Sequence, residues 1–211
     1  MSVFLSNIVI RPLTATDSST YRALRQKILS SCDALYFSDS YERERQLTES
    51  QWLEWCTEKR EHCILGTFDG VELIGIVMIT QQGGADSSIV EWEAVWLDPC
   101  YRGTGIGKSA YEQARQWSQD RGYKFVAGFI RATYTPALDI CRGQGFVYAY
   151  TIRNEIWADG SVADTHAYLL DLRTDAYKYF AQPVHSRFKE AFPFLSQGFH
   201  APARQDESEV A

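Results

Sequence analysis

The sequence predicts an α/β protein built on one mixed sheet with helices on both faces. Strand-like stretches alternate with stretches of helical spacing in the order β-α-α-β-β-β-α-β-α-β-β. Asp69-Gly70 and Asp159-Gly160 each lie between a pair of strand-like stretches, a strong signal for an antiparallel hairpin. The 211 residues, 45% hydrophobic and 23% charged, suffice for one well-filled core with an appendage.

Asn7 to Leu13 reads as a first strand, with Pro12 near its end. Thr14-Ala-Thr-Asp-Ser18 offers N-caps for a helix to about Leu29. Residues 31–47 mix Ser, Asp, Tyr and Arg without a period, which predicts a loop or short helical pieces. Thr48-Glu-Ser-Gln51 fits a capping box, and Trp52, Trp55 and Cys56 follow at helical spacing, so a helix is expected to near Arg60. Strands are expected at His62–Phe68, Glu72–Gln81 and Ile89–Leu97, with a loop at Gly83–Asp86. A glycine-rich loop spans Pro99–Lys108, and Ala110, Tyr111, Ala114 and Trp117 mark a helix up to Gly122. Lys124–Ile130 reads as a buried strand, and Thr135-Pro136 as an N-cap followed by proline at the first helical position. Phe146–Trp157 and Thr165–Leu172 form the closing hairpin. Residues 173–211 are expected to be an extension, partly helical, ending in a frayed acidic tail.

Composition narrows the function. The longest apolar run, Ile74–Ile79, is far too short to span a bilayer, and Met1–Asn7 lacks a basic region followed by an apolar stretch. Five scattered cysteines without a C-x-x-C pair predict reduced thiols in a cytoplasm. The four histidines share no metal-ligand spacing, so no metal is expected. The net charge of −6 is unevenly spread: residues 1–101 carry −7, residues 102–153 carry +5 and residues 154–211 carry −4. A positive middle suits an anionic ligand there and argues against a general nucleic-acid surface.

The glycine loop is the most informative segment. Gly103, Gly105 and Gly107 lie between a strand and a helix, where glycine lets backbone N–H groups approach a ligand. The helix N-terminus adds unpaired donors, and Arg102 and Lys108 add charge, which together suit a phosphate. A tight packing turn is the alternative. Gly107-Lys108-Ser109 matches the end of a Walker A loop, but that loop's first glycine falls on Arg102. Gly105-x-Gly107-x-x-Ala110 fits a loose dinucleotide fingerprint, yet the next strand ends in Arg131 and not in an acid.

Arg102-x-x-Gly105-x-Gly107, preceded by Val95-Trp-Leu-Asp-Pro99, resembles the acetyl-CoA loop of the GNAT acetyltransferases. Ala137 with Gly145-Phe146 resembles that family's second signature, and the element order is similar over about residues 7–172. The resemblance implies a GNAT domain over 1–172, with a mostly antiparallel central sheet and acetyl-CoA as cosubstrate. It implies that backbone N–H groups of Gly103, Thr104, Gly105, Ile106, Gly107 and Lys108, beside Arg102, hold the pyrophosphate. The edge of Val95, Trp96 and Leu97 would pair with the pantetheine and polarise the thioester carbonyl. It also implies a general base on the fourth strand, where Glu91 and Glu93 share a face.

The second signature departs from the family at two positions. Cys141 stands where the family usually has the tyrosine that protonates the leaving thiolate, and Tyr134 where it usually has asparagine. Either Cys141 or Tyr134 could supply the proton, though Cys141 also reads as a small core residue. The expected function is acetyl transfer to a primary amine of a small molecule. A protein N-terminus or lysine as acceptor, and a non-catalytic acyl-CoA-binding sensor, are the alternatives. Tyr36-Phe37 and Tyr41–Arg45 lie where the family builds acceptor-side walls, and the aromatic stretch after Leu172 could pack on a second copy in a homodimer.

Overall fold

The computed structural model describes residues 7–37, 40–83 and 87–173. The expected extension lies outside the described residues apart from Arg173, as do residues 84–86 of the expected loop. Seven strands form one sheet: β1 (Ile8–Pro12), β2 (His62–Asp69), β3 (Glu72–Gln82), β4 (Ile89–Leu97), β5 (Phe125–Arg131), β6 (Val147–Ile156) and β7 (Val162–Asp171). Their spatial order is β1-β2-β3-β4-β5-β7-β6. Neighbours run antiparallel except β4 and β5, which are parallel. The helices are α1 (Ser18–Leu29), α2 (Tyr41–Glu44), α3 (Glu49–Trp55), α4 (Ile106–Asp120) and α5 (Thr135–Gly143).

Capping residues start the helices much as the sequence implies. Thr48 accepts the Gln51 N–H at 3.3 Å, and the Gln51 side chain accepts the Thr48 N–H at 2.7 Å. Arg11 reaches from β1 to hold both Asp17 oxygens at 2.8 Å, fixing the turn into α1. Three expected boundaries move, the last strand starting at Val162 and not at Thr165. The helix from Thr48 ends at Trp55 and not near Arg60, because residues 57–61 are exposed and offer no apolar face, and Lys59 donates to the His62 carbonyl at 2.8 Å to turn the chain. Tyr134, not Thr135, caps α5, since its N–H closes a turn onto Arg131 at 2.9 Å.

Alternation along the strands divides the core into two layers. Val77, Ile79, Val90 and Trp92 pack against Ala114 and Trp117 of α4 and Leu138 of α5. Ile76 and Met78 face the other way, onto Tyr21, Leu24 and Ile28 of α1 and Trp52 of α3. β4 breaks its alternation once. Glu93 pairs with Met78 and Trp96 with Ile76, so Ala94 and Val95 stand together opposite Val77. This is a β-bulge, with Ala94 at φ +49°. The extra residue reverses parity: Trp92 belongs to the α4–α5 layer, whereas Trp96 belongs to the α1–α3 layer with the face of Glu91 and Glu93.

Candidate active site

β4 and β5 pair only at Ile89–Phe125, Val90–Val126 and Glu91–Ala127. Beyond Glu91 the bulge bends β4 away, while β5 stays paired with β7 through Arg131. The strands therefore open into a V, and its mouth is a cavity of about 490 Å³. Backbone groups along this edge of β4 do not face β5, so they are available to an extended ligand.

The cavity joins both faces of the sheet. Glu91, Glu93, Tyr36, Phe37, Arg25 and Arg43 line it on the α1 side. Tyr134, Ala137 and Cys141 of the α5 segment and Tyr111 of α4 line it on the other. Glu155 and Trp157 close it from the β6–β7 hairpin. The Glu91 carboxylate accepts the Gln82 amide at 2.7 Å, and Glu155 accepts the Thr165 hydroxyl. Burial, then the charges of Glu91 and Glu155, pushes the Tyr150 phenol up to about 12. Under the α1 side, Arg25 and Glu44 form a fully buried pair, with the Arg25 Nε 3.1 and 3.2 Å from the two carboxylate oxygens.

Burial pushes the Cys141 thiol up to about 12 and raises the Tyr134 phenol as well. Tyr134 stacks face to face on Tyr36, with centroids 3.7 Å apart and planes 11° apart. The five cysteines are all free.

The glycine loop sits at the end of β4. Asp98 accepts the Cys100 N–H at 3.0 Å and the Lys27 ammonium at 2.8 Å, and Tyr101 donates to Asp69 at 2.8 Å, so the short turn Pro99–Tyr101 is held from two sides. Gly103 and Gly105 have φ of +77° and +92°, and a Cβ at either would meet nothing within 4 Å. They serve backbone shape and an open surface, not close packing, which disfavours the packing-turn reading. Gly105 is the N-cap of the 15-residue α4, whose first-turn N–H groups have no partner inside the helix. These features fit a phosphate-bearing arm running from the loop along β4. Lys108 is largely exposed and 3.8 Å from Glu112. Arg102 folds back, donating to the Leu97 carbonyl at 2.9 Å and to Asp33 at 2.8 Å; the same Asp33 oxygen accepts the Trp96 indole at 2.8 Å.

Of the residues expected from sequence, Glu91, Glu93, Val95, Trp96, Tyr134 and Cys141 share the one cavity. Leu97 and the segment Arg102–Lys108 lie beyond its lining, at the loop end. Tyr36, Phe37 and Arg43 come from the stretches flagged as acceptor-side walls. Arg25, Tyr111, Glu155 and Trp157 escaped sequence reasoning. Tyr111 was legible only as a helical repeat position, and Glu155 as one more residue of a hairpin strand.

A parallel pair separated at a bulge, beside a glycine-capped helix, gives an open strand edge next to an anion-binding helix end, which suits an acyl-CoA-dependent transferase. The family model for the acetyltransferase (GNAT) family matches residues 28–146, more than half of the chain, and the chain belongs to that family. The family uses acetyl-CoA to acylate amines, and this chain is an acyltransferase. Solved structures agree on the fold. An acetyltransferase of the GNAT family from Streptococcus pneumoniae superposes with a TM-score of 0.69 at 18% identity, covering 78% of this chain and 99% of its own. An N-acetyltransferase from Staphylococcus aureus Mu50 gives 0.65 at 19% identity, covering 79% and 99%. The yncA protein of Salmonella typhimurium, solved with its cofactor acetyl-CoA, gives 0.66 at 17% identity, covering 84% and 98%. No curated protein sequence matches significantly.

Proposed function

We propose that this protein is a cytoplasmic N-acetyltransferase that moves an acetyl group from acetyl-CoA directly to a primary amine of a small molecule. The observation that carries the reading is the single cavity linking Glu91 and Glu93 on one face of the sheet to Tyr134 and Cys141 on the other through the gap between β4 and β5. Its volume of about 490 Å³ falls within the range of small-molecule sites, about 300–1,000 Å³.

Acetyl-CoA supplies the activated acyl group. In this reading, N–H groups from Gly103 to Lys108 take the pyrophosphate, and the free edge of Val95, Trp96 and Leu97 pairs with the pantetheine amides. One N–H of that edge polarises the thioester carbonyl. Glu91 or Glu93 takes the proton that the amine must lose, since an alkylammonium of pKa about 10.4 is not a nucleophile. Direct transfer is favoured over an acyl-cysteine because Cys141, raised to about 12 by burial, holds almost no thiolate at neutral pH.

The test is CoA release from acetyl-CoA, followed by chromatography across small amines and peptides. Turnover with one class of small amine is expected. Glu91→Gln, Glu93→Gln or the pair should then cut kcat by about a hundredfold or more. Full activity in the double variant removes the base assignment. Tight acetyl-CoA binding without turnover on any amine or peptide removes the transfer reading.

A further inference from the structure

Cys141 leaves the departing sulfur without the phenol that the family usually places at that position. A neighbouring helix brings another phenol to the same wall. Tyr111 of α4 lines the cavity with Cys141, Ala137 and Phe146, its ring packed on Trp92 with centroids 5.6 Å apart. After burial, which raises its phenol, the groups acting on its hydroxyl are Cys141 and Tyr134. Tyr134 lines the cavity too, but its ring is stacked on Tyr36 and its hydroxyl feels Asp33 and Arg102 near the glycine loop. The small side chain at 141 and the Tyr111 ring share that wall of the cavity.

We propose that Tyr111 donates a hydrogen bond to the thioester sulfur as it becomes a thiolate, the task left open by Cys141. The proposal rests on the direct-transfer reading above. In the step, the amine, whose ammonium proton the β4 carboxylate has already passed to water, forms the new C–N bond and yields a second proton to that carboxylate. The C–S bond breaks and its electron pair stays on sulfur. Tyr111 keeps its own proton, because a phenol raised by burial is a weaker acid than a thiol of pKa about 8.5. The thiolate takes from water the proton that the carboxylate later returns to water. Tyr111 is thus a donor at every working pH and adds no limb to the rate profile.

The experiment compares the full-length wild type with Tyr111→Phe in turnover and in binding of CoA and of desulfo-CoA, which lacks the sulfur. The expected result is a fall in kcat of about tenfold to hundredfold, with the KM for acetyl-CoA within about twofold. At pH 9, CoA should bind the variant about tenfold more weakly while desulfo-CoA binds unchanged, which a merely structural role would not produce. Equal turnover, or an unchanged ratio of CoA to desulfo-CoA affinity, overturns the proposal. If the wild type turns over no amine but the ratio still falls in the variant, the transfer reading fails and the contact of Tyr111 with sulfur stands. If the variant does not fold, the wild type decides: CoA should gain on desulfo-CoA as pH rises from 7 to 9.5, and no gain overturns the proposal.

Discussion

Replacing Glu44 by glutamine should unfold the acceptor side of this protein more readily than a change in any exposed ion pair. Arg25 and Glu44 are each 1% exposed, and the guanidinium contacts both carboxylate oxygens while lying 5.3 Å over the Phe37 ring. Removing one charge of such a pair takes from the buried guanidinium the carboxylate it contacts through both oxygens, at a cost of about 3–5 kcal/mol. For a chain of this size each kcal/mol lowers Tm by about 2–4 °C, so a fall of about 6–20 °C is expected, glutamine nearer the lower end and alanine nearer the upper. Thermal unfolding followed by circular dichroism on the full-length chain reads it directly. The pair Arg25→Met with Glu44→Leu removes both charges and should recover most of the loss. A Tm within about 3 °C of wild type in Glu44→Gln, or a double variant as unstable as the single one, would refute this reasoning. Because Arg25 lines the cavity and α2 carries Arg43 into it, the single variant should also raise KM for the amine.

Three further outcomes test other regions of the molecule. Gly105→Ala forces a side chain onto φ +92°, costing about 1–2 kcal/mol without a clash, and should weaken acetyl-CoA binding in calorimetry; unchanged affinity would detach the loop from the cofactor. Asp17 is held down to about 2, chiefly by its hydrogen bond from Arg11, so its contribution to stability is present above pH 4 and is lost as pH falls toward 2; Asp17→Asn should flatten that portion of the unfolding profile, and an unchanged slope would exclude it. Cys141→Ala should keep activity within about tenfold, and a loss of a hundredfold or more would show that the thiol takes part in the chemistry.

The sequence disclosed what depends on local patterning. Thr48 and Gln51 announced their capping box, Asp69-Gly70 its hairpin, and the glycine triplet a loop between strand and helix. It did not disclose what depends on register. The bulge at Ala94 leaves no mark in residue type, since alanine at positive φ looks like any other alanine in a strand. The convergence of Arg25, Tyr111 and Glu155 on one cavity arises from three elements far apart in the chain, and no spacing rule joins them. The ends of α3 and the start of α5 moved because turns onto His62 and Arg131 outweighed capping preference.

The bulge also means that the gap between β4 and β5 is written in chain length and not in chemistry. Substituting Ala94 should be tolerated wherever the new residue accepts its backbone angle. Deleting it would let β4 fall back into step with β3, leave Trp96 opposite Ile76 in its present layer and draw the two parallel strands together. The sheet could gain regular pairing only by losing the opening through which its two faces communicate. A single-residue deletion here would yield a protein with a more regular sheet and no cavity between its parallel strands.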